Sequence, residues 1–354
     1  MHTPNVVVVG YGYAGRYFHI PLLALTPRLR LYGVVSGRAE ARTQIRHRFG
    51  VKTFAHVEGA LADPQVDVIV LATPNDLHAS QAIAALQAGK HVVTDKPMCL
   101  NVAEADAMIA ASRQSGRLLS VFQNRRWDGD FLTIGAILEQ DLIGEPFLIE
   151  TAWLQARPPR GWSSERDRGG GKFLDLGAHL IDQAVALIAS PVTRVYARFH
   201  SGIWPNDVED HAHCIVSFAS GVDVHVTTSS VAPMQARRWH LLGRKGALVK
   251  EGFDPQEQAL VAGDIGTASE DPKYYARVYS AVMGRPTETV AETVVPTLPG
   301  RWQAFYDNLA EVLQNDAVLA VSPESSRVVM AVIEAAQQSA QTGQAISFES
   351  RPVG

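Results

Sequence analysis

The fold is decided by the stretch VVVVGYGYAGRYFH, residues 6–19, in which four valines run directly into three closely spaced glycines. Gly10, Gly12 and Gly15 have the Gly-x-Gly-x-x-Gly spacing of loops that bind dinucleotides. The spacing alone is a weak signal, because a tight turn between any strand and helix also favours glycine. The rest of the chain has to distinguish a cofactor loop from an ordinary turn.

Apolar runs alternate with amphipathic segments over the first third of the chain. The predicted strands are 6–9, 31–35, 68–71, 91–94 and 118–122, and the predicted helices are 14–25, 38–50, 77–88 and 103–113. Short strands that are apolar almost throughout and separated by helices are typical of a parallel sheet covered on both faces. The glycines then lie between the first strand and the first helix, where a backbone without side chains can approach a pyrophosphate. The sequence therefore predicts a doubly wound α/β domain of the Rossmann type that binds a dinucleotide.

The pattern changes after residue 122, where strands follow strands directly. They are predicted at 147–153, 194–199, 212–218, 222–228 and 238–242, with helices at 130–139, 174–188, 303–314 and 324–341. Turns such as SFASGVDV and LLGRKGALV are typical of hairpins. We therefore predict a Rossmann domain over 1–122 and, over 123–354, an α+β domain on a large, mostly antiparallel sheet.

Composition and charge narrow the class of ligand. With 354 residues and 46% hydrophobic composition, the chain is long enough for two domains. The net charge of −4 gives no electrostatic reason to expect nucleic acid or an anionic membrane as a partner, so a small-molecule ligand fits better. The start of the chain lacks the long apolar stretch of a signal peptide, and we expect a cytoplasmic protein.

The sequence does not predict a metal site. Cys99 and Cys214 are far apart and form neither a metal-ligand spacing nor a disulfide framework. His211 and His213 fall on one face of a predicted strand, but no further ligand is near them in the sequence. We therefore expect buried thiols and no bound metal.

The end of the second predicted strand reads VVSGRAEAR and bears on the choice between NADP and NAD. An acidic residue there would bind the ribose hydroxyls of NAD and repel a 2′-phosphate. Ser36 can instead donate to a phosphate, and Arg38 supplies a planar cation that suits it. In the alternative, Ser36 caps the next helix and Arg38 is a solvated charge, with Glu40 too late in the chain to read the ribose. The pattern favours NADP and leaves NAD open.

Two polar loops follow the third and fourth predicted strands of this first series. LATPNDLH comes after 68–71 and VVTDKPM after 91–94, so both lie at the edge of an open α/β sheet where ligands bind. Pro97 keeps the backbone of Lys96 extended. An ammonium at that edge can neutralise a developing alkoxide and transfer a proton, whereas most lysines are solvated surface charges. The position predicts a catalytic role for Lys96.

The segment RGGGKFLDLGAHLIDQ, residues 168–183, carries an acid and a histidine with helical spacing. Asp175 and His179 are four residues apart and therefore share a helix face. A carboxylate beside an imidazole is the arrangement expected of a general base near neutral pH. The spacing also fits an Asp–His pair that only stabilises the helix, and Asp182 fits either a structural contact or a further polar one.

The motifs GYGYAG (10–15), TPNDLH (73–78), DKP (95–97) and GGGKFLDLGAHLID (169–182), taken together, resemble those of the Gfo/Idh/MocA family, the glucose–fructose oxidoreductase and inositol dehydrogenase family. The resemblance spans nearly the whole chain. It implies a Rossmann domain followed by a C-terminal α/β domain whose open sheet often mediates dimers or tetramers. It also implies hydride transfer between a nicotinamide cofactor and a secondary alcohol or ketone of a sugar or cyclitol, so we expect a homodimer or homotetramer that acts on a small polyol.

The resemblance also assigns residues by motif. Lys96 would polarise the substrate oxygen, His179 would accept the proton, and Asp175 would bind substrate hydroxyls or assist the histidine. The implied cofactor-binding residues are Gly10, Tyr11, Gly12, Tyr13, Ala14, Gly15, Ser36, Arg38, Thr73, Pro74, Asn75, His78, Asp95, Lys96, Gln123 and Trp162. The implied substrate-binding residues are Lys96, Arg126, Trp127, Arg157, Asp175 and His179, with Arg125 and Trp162 beside the same cleft. Asp95 departs from the family pattern, which usually has Glu before the lysine.

Within the family, residues 120–134 and 153–171 most resemble the subgroup that contains NADP-dependent scyllo-inositol dehydrogenase, which implies scyllo-inositol and scyllo-inosose as the substrate pair. Three alternatives stay open: an NAD-dependent sugar dehydrogenase, an NAD-dependent glycosidase working by oxidation, elimination and re-reduction, and a nucleotide-binding regulator without catalysis. The presence of Lys96, Asp175 and His179 argues against the regulator. Ser36 with Arg38 argues against a tightly held NAD.

Overall fold

Six short strands form a parallel sheet in a computed structural model, which describes residues 2–280 and 290–348. They are β1 Asn5–Val9, β2 Arg30–Val35, β3 Lys52–Phe54, β4 Val68–Leu71, β5 His91–Thr94 and β6 Leu119–Val121. Their order is β3-β2-β1-β4-β5-β6, and every neighbouring pair is parallel. This is the order of dinucleotide-binding doubly wound sheets, which bind ligands where the strand order reverses, at the carboxyl ends of β1 and β4. The predicted Rossmann fold is confirmed.

Ten α-helices occur among the described residues. They are α1 Ile20–Ala24, α2 Ala39–Phe49, α3 Val57–Leu61, α4 His78–Gln87, α5 Val102–Ser115, α6 Gly129–Glu139, α7 Ala178–Leu187, α8 Gln256–Ala262, α9 Gln303–Asn315 and α10 Pro323–Thr342. Local sequence explains both ends of α5. The Asn101 side chain accepts a hydrogen bond from the amide of Glu104 at the start of α5, and Gly116, with φ of 63°, ends that helix. None of the described helices is long and apolar enough to cross a membrane.

Two of the predicted helices begin with a π-helical turn. Gly15–His19 forms such a turn before α1, and Phe173–Gly177 forms one before α7. Apolar spacing predicts a helix but does not distinguish the wider π turn from an α turn, so the sequence did not show this feature. Single π turns are frequent at functional sites. Here they lie at the glycine loop and at the Asp175 segment.

Short 3₁₀ turns connect other elements. They are Asn75–Leu77, Asn124–Trp127, Gly161–Ser164, Arg166–Arg168, Ile265–Thr267 and Pro272–Tyr274.

The second sheet has nine strands among the described residues. They are β7 Pro146–Leu154, β8 Val192–His200, β9 His211–Phe218, β10 Asp223–Ser229, β11 Trp239–Gly243, β12 Gly246–Lys250, β13 Ala276–Ser280, β14 Ala291–Val295 and β15 Ile346–Ser347. Their order is β14-β13-β12-β11-β7-β10-β9-β8-β15, and only the pair β7 and β10 is parallel. The prediction of a mostly antiparallel sheet is confirmed. Along β9 and β10, buried residues alternate with more exposed ones, so one face of the sheet is covered.

The described chain divides into two compact units, which are not two simple halves. The first unit contains Met1–Asn124, Gln256–Ala268 and Arg301–Met330, and the second contains Arg125–Pro255, Ser269–Gly300 and Ala331–Gly354. The first unit therefore holds the six-stranded sheet together with α8 and α9. The boundary between two domains that the sequence predicts after residue 122 stays a prediction.

Candidate active site

The glycine loop packs tightly on two sides and is open on the third. Gly10 has φ of +106°, and a Cβ atom there would lie 2.3 Å from the carbonyl oxygen of Ala72 at the end of β4. A Cβ on Gly15 would lie 2.1 Å from the carbonyl oxygen of Gly10. A Cβ on Gly12 would meet no atom within 4 Å. Gly10 and Gly15 are thus required by packing, whereas Gly12 leaves the open side of the loop accessible to a ligand.

This difference between two glycines gives a testable prediction. Gly10→Ala should lower the free energy of unfolding by roughly 3 kcal/mol, because alanine is strained at positive φ and would clash with backbone. Gly12→Ala should change stability by less than about 1 kcal/mol yet weaken dinucleotide binding about tenfold or more, because its methyl group points to the open side. Urea denaturation and calorimetric titration with NADP measure the two effects. Unchanged cofactor affinity in Gly12→Ala would contradict the loop's predicted role.

Arginine side chains lie at the carboxyl end of β2. Arg38 Nη2 donates to the carbonyl oxygen of Tyr11 at 3.2 Å, which places this guanidinium beside the glycine loop. Arg42 Nη1 donates to the carbonyl oxygen of Ser36 at 2.7 Å. Arg38, not Ser36, is the N-cap residue of α2, so the alternative interpretation of Ser36 as the helix cap is wrong. Two guanidinium groups near a serine fit an anionic group better than they fit two ribose hydroxyls.

The loop after β4 is fixed by side-chain contacts of its own. Thr73 Oγ1 donates to Gln81 Oε1 at 2.9 Å. The imidazole of His78 is fully buried, with Nδ1 2.9 Å from the carbonyl oxygen of Pro97 and Nε2 3.0 Å from that of Thr73. Burial lowers the pKa of His78, although the nearby Asp95 carboxylate opposes this. His78 therefore ties the loop after β4 to the loop after β5, while Pro74 and Asn75 begin the 3₁₀ turn Asn75–Leu77 that leads into α4.

The loop after β5 carries Lys96, and the Asp95 carboxylate holds it. Asp95 Oδ1 accepts a hydrogen bond from the Lys96 amide at 2.8 Å. Burial alone would raise the pKa of Asp95, but the contact with His19 and the charges of Lys96 and His78 outweigh it and lower the pKa. Asp95 thus stays ionised, and its shorter side chain still contacts the lysine that follows it.

The first unit also fits a nicotinamide dinucleotide at the carboxyl end of β6. Gln123 is buried there, and its Oε1 has no hydrogen-bond partner among the described residues. A buried carbonyl oxygen of this kind fits a donor such as a carboxamide NH₂ group. Tyr11 is buried and Tyr13 is exposed in the glycine loop, where Tyr13 Oη donates to Glu257 Oε1 at 3.2 Å. The open glycine loop, the arginines and Gln123 all belong to one unit and one edge of its sheet.

In the second unit, Asp175 and His179 lie on consecutive turns of one continuous helical segment. His179 is buried, while Asp175 is more exposed and forms an ion pair with Lys172 at 3.1 Å. Glu209 accepts a hydrogen bond from the Phe173 amide at 2.6 Å, which satisfies one free N–H group at the start of this segment. Burial raises the pKa of the Glu209 carboxyl group.

An aromatic side chain orients His179. Trp153 of β7 stacks on the imidazole with ring centroids 6.3 Å apart and planes inclined by 23°. The guanidinium of Arg125 makes a cation–π contact with the same Trp153 ring, 4.4 Å from its centroid. The imidazole is thus held against a large flat surface.

Arg126 and Asp182 form a bidentate ion pair in the second unit. Arg126 Nε and Nη2 donate to the two carboxylate oxygens of Asp182 at 2.8 and 2.7 Å. Burial would lower the pKa of Arg126, but Asp182 raises it. Asp182 is therefore a structural partner of Arg126, and the substrate contact expected of Arg126 stays a prediction.

The predicted substrate residues Trp127 and Arg157 and the predicted cofactor residue Trp162 belong to the second unit as well. Trp127 ends the 3₁₀ turn Asn124–Trp127, Trp162 lies in the turn Gly161–Ser164, and Arg157 is exposed after β7. Arg157 is held through its backbone, whose amide donates to the carbonyl oxygen of Ser230 at 2.9 Å. Lys96 and the glycine loop belong to the first unit, whereas Asp175, His179 and these three residues belong to the second.

Comparisons with known proteins match both parts of the chain. The model of the oxidoreductase family with an NAD-binding Rossmann fold matches residues 4–123, and that of the GFO/IDH/MocA C-terminal domain matches residues 131–249. The uncharacterized oxidoreductase YdgJ of Escherichia coli (strain K12) is 36% identical, over 95% of this chain and 96% of its own length. The chain belongs to the Gfo/Idh/MocA oxidoreductase family.

Two further comparisons agree with Gfo/Idh/MocA membership. The scyllo-inositol 2-dehydrogenase (NADP(+)) IolW of Bacillus subtilis (strain 168) is 29% identical, over 98% of this chain and 96% of its own length. The solved structure of yvaA from Bacillus subtilis has a TM-score of 0.91 at 27% identity and covers 98% of this chain and 99% of its own. The predicted family is confirmed, and the chain is an oxidoreductase with an NAD(P)-binding domain.

Several residues of this Gfo/Idh/MocA chain contact the predicted site residues but were missed in the sequence. Arg42 could have been found, because it is four residues after Arg38 and faces the same side of α2. Lys172 could also have been found, because it is three residues before Asp175. Trp153 and Glu209 could not, because each reaches the helical segment of His179 from a strand or loop distant in sequence.

Proposed function

We propose that this oxidoreductase transfers a hydride between NADP(H) and a secondary alcohol or ketone of a cyclitol or sugar, with scyllo-inositol and scyllo-inosose as the substrate pair. The observation that carries the proposal is Lys96 at the same sheet edge as the open glycine loop. IolW, 29% identical over 98% of this chain, bears the name of an NADP-dependent scyllo-inositol 2-dehydrogenase and supports the choice of substrate.

The residues of the first unit would hold the cofactor. Backbone amides of the glycine loop would bind the pyrophosphate, and Ser36, Arg38 and Arg42 would bind the 2′-phosphate. Gln123 Oε1 would accept a hydrogen bond from the carboxamide. When bound, the nicotinamide ring accepts or donates the hydride.

The acid–base work would fall to Lys96, Asp175 and His179. In the oxidation direction His179 accepts the hydroxyl proton, and the Lys96 ammonium donates a hydrogen bond to the oxygen as negative charge develops on it. Asp175 binds neighbouring hydroxyl groups, and its ion pair with Lys172 orients the carboxylate. In the reverse direction the same proton returns to the carbonyl oxygen.

A spectrophotometric screen at about 340 nm, where reduced nicotinamide absorbs, tests the proposal. NADP and NAD are each combined with scyllo-inositol, myo-inositol, glucose, xylose and galactose. We expect turnover of a cyclitol with NADP preferred. Firm NADP binding without turnover of any of these polyols would contradict the proposed substrate class and leave the cofactor assignment standing.

The arginines at the end of β2 give a prediction about cofactor choice. Arg38→Ala and Arg42→Ala should each weaken NADP binding about 10- to 100-fold, because each loses a charge-assisted hydrogen bond to the 2′-phosphate worth about 1.5–3 kcal/mol. NAD binding should change by less than about threefold on the same scale. Calorimetric titration with both cofactors measures the difference.

Arg46→Ala is the matched control, because Arg46 is exposed on the same helix and donates to Thr43 and Thr53. Arg38 also donates to the glycine loop, so Arg42→Ala is the cleaner of the two variants. Equal losses for NADP and NAD in Arg42→Ala would show that this end of β2 does not bind the 2′-phosphate.

A further inference from the structure

His19 is a buried histidine that the proposed reaction does not use. It ends the π-helical turn that follows the glycine loop, and none of its side chain is exposed. Its ring packs against Phe122, with ring centroids 4.4 Å apart, and Phe122 packs in turn against Phe305 and Tyr306. A polar ring in such an apolar cluster needs hydrogen-bond partners, because an unsatisfied buried nitrogen is costly.

Two polar groups face the two ring nitrogens of His19. The Tyr306 hydroxyl lies 2.6 Å from Nδ1, and Asp95 Oδ2 lies 3.5 Å from Nε2, an ion-pair distance that is longer than a hydrogen bond. All of these residues belong to the first unit. Tyr306, His19 and Asp95 thus form a row, which we call the His19 chain.

The direction of the hydrogen bonds in the His19 chain follows from charge. Burial and the Asp95 carboxylate raise the pKa of Tyr306 well above its usual value, so the phenol keeps its proton. Asp95, whose pKa is lowered, is an acceptor only. The consistent arrangement is therefore Tyr306 O–H donating to Nδ1, with the ring proton on Nε2, where it faces the Asp95 carboxylate at 3.5 Å.

At its other end, the His19 chain reaches Lys96. Asp95 Oδ1 accepts from the Lys96 amide at 2.8 Å, so one carboxylate faces the His19 ring with one oxygen and holds the Lys96 backbone with the other. We propose that His19 and Tyr306 are positioning residues that act through Asp95 to fix Lys96 for its hydrogen bond to the substrate oxygen as negative charge develops there. This inference rests on the proposed function, because Lys96 has its catalytic role only in that reaction.

Variants of Tyr306 and His19 test the proposal through their effect on turnover. Tyr306→Phe keeps the ring in its aromatic cluster and removes only the hydroxyl group, and it should lower kcat about 10- to 100-fold through misplacement of Lys96. His19→Leu should lower kcat at least as much, and His19→Gln, which can place an amide N–H near the Nε2 position, should restore most of it. The double variant should be no slower than His19→Leu, because Tyr306 acts through His19.

A second readout does not need activity. Hydrogen exchange of the Lys96 amide, measured by NMR, should be faster in Tyr306→Phe and His19→Leu and near wild type in His19→Gln, because Asp95 then keeps its orientation. Tyr32→Phe is the matched control, since its hydroxyl donates to Asp63 at 3.1 Å on another part of the first unit. Neither kcat nor Lys96 exchange should change in that control.

The possible outcomes distinguish a failure of the His19 chain proposal from a failure of the proposed function. Wild-type kcat and wild-type Lys96 exchange in both Tyr306→Phe and His19→Leu would overturn the proposed role of the His19 chain. Turnover by the parent protein would still support the proposed function. A kcat of His19→Gln as low as that of His19→Leu would also overturn this role, because an N–H group facing Asp95 would then make no difference. If the parent protein turns over no polyol, the proposed function fails, and hydrogen exchange of the Lys96 amide alone tests whether the His19 chain positions Lys96.

Discussion

Lys96→Ala should lower kcat about 100- to 1,000-fold, the range typical of losing a donor that stabilises developing negative charge, while NADP affinity changes by less than about threefold. The side chain is lost from the loop after β5, but the contacts that hold this loop remain. Asp95 still accepts from the backbone amide of residue 96, and His78 still lies between the carbonyl oxygens of Pro97 and Thr73. Steady-state kinetics and calorimetric titration on the same preparation measure both quantities.

Two further variants define what Lys96 contributes. Lys96→Arg keeps a positive charge but replaces the compact ammonium by a larger planar guanidinium with a different donor geometry, so it should restore little of the turnover. Lys245→Ala removes an exposed lysine that pairs with Asp141 and should leave kcat unchanged. A Lys96→Ala enzyme with parental kcat would show that the catalytic assignment is wrong, whatever the substrate.

The strands that are buried on both faces were the most predictable part of the fold. β4 and β5 have the predicted limits, because their continuous apolar runs end directly at polar loops. β3 and β14 were missed for the opposite reason: β3 is three residues long, and β14 is a largely exposed edge strand. Such strands are stabilised by pairing with a neighbour more than by a hydrophobic pattern of their own.

The candidate site was predictable where it is made of local motifs. Gly10, Gly12 and Lys96 follow strands directly, so their position at the sheet edge could be inferred from the chain alone. The partners of Asp95 could not, since Tyr306 is 287 residues after His19 and neither is marked by a spacing motif. The role of Arg126 was equally hidden, because its bidentate partner Asp182 is 56 residues away.

The buried pair of Asp130 and Arg238 should have the largest effect on stability. Arg238 Nε lies 3.1 Å from Asp130 Oδ2, and almost none of either side chain is exposed. Burial lowers the pKa of Arg238, and Asp130 opposes this. Asp130→Ala should therefore lower the free energy of unfolding by about 3–5 kcal/mol, because it leaves a buried cation without its counter-charge. Urea denaturation followed by circular dichroism measures the loss.

The same pair is connected to the helix that carries His179. Arg238 Nη2 donates to Gln183 Oε1 at 2.7 Å, and Gln183 Nε2 donates to the carbonyl oxygen of Arg125 at 2.7 Å. Gln183 is one turn after His179 on α7, so a displaced Arg238 should also disturb the imidazole. We therefore expect Asp130→Ala to lose turnover even at temperatures where it remains folded.

Two comparisons show whether the buried charge is the cause. Lys245→Ala breaks the exposed pair with Asp141 and should cost less than about 1 kcal/mol. Replacing both members of the buried pair, in Asp130→Leu/Arg238→Met, should be less destabilising than Asp130→Ala, because no unpaired charge remains inside the unit. If the double variant is as unstable as Asp130→Ala, the loss comes from the hydrogen bond of Trp239 Nε1 to Asp130 and from packing, and the explanation by an unpaired cation fails.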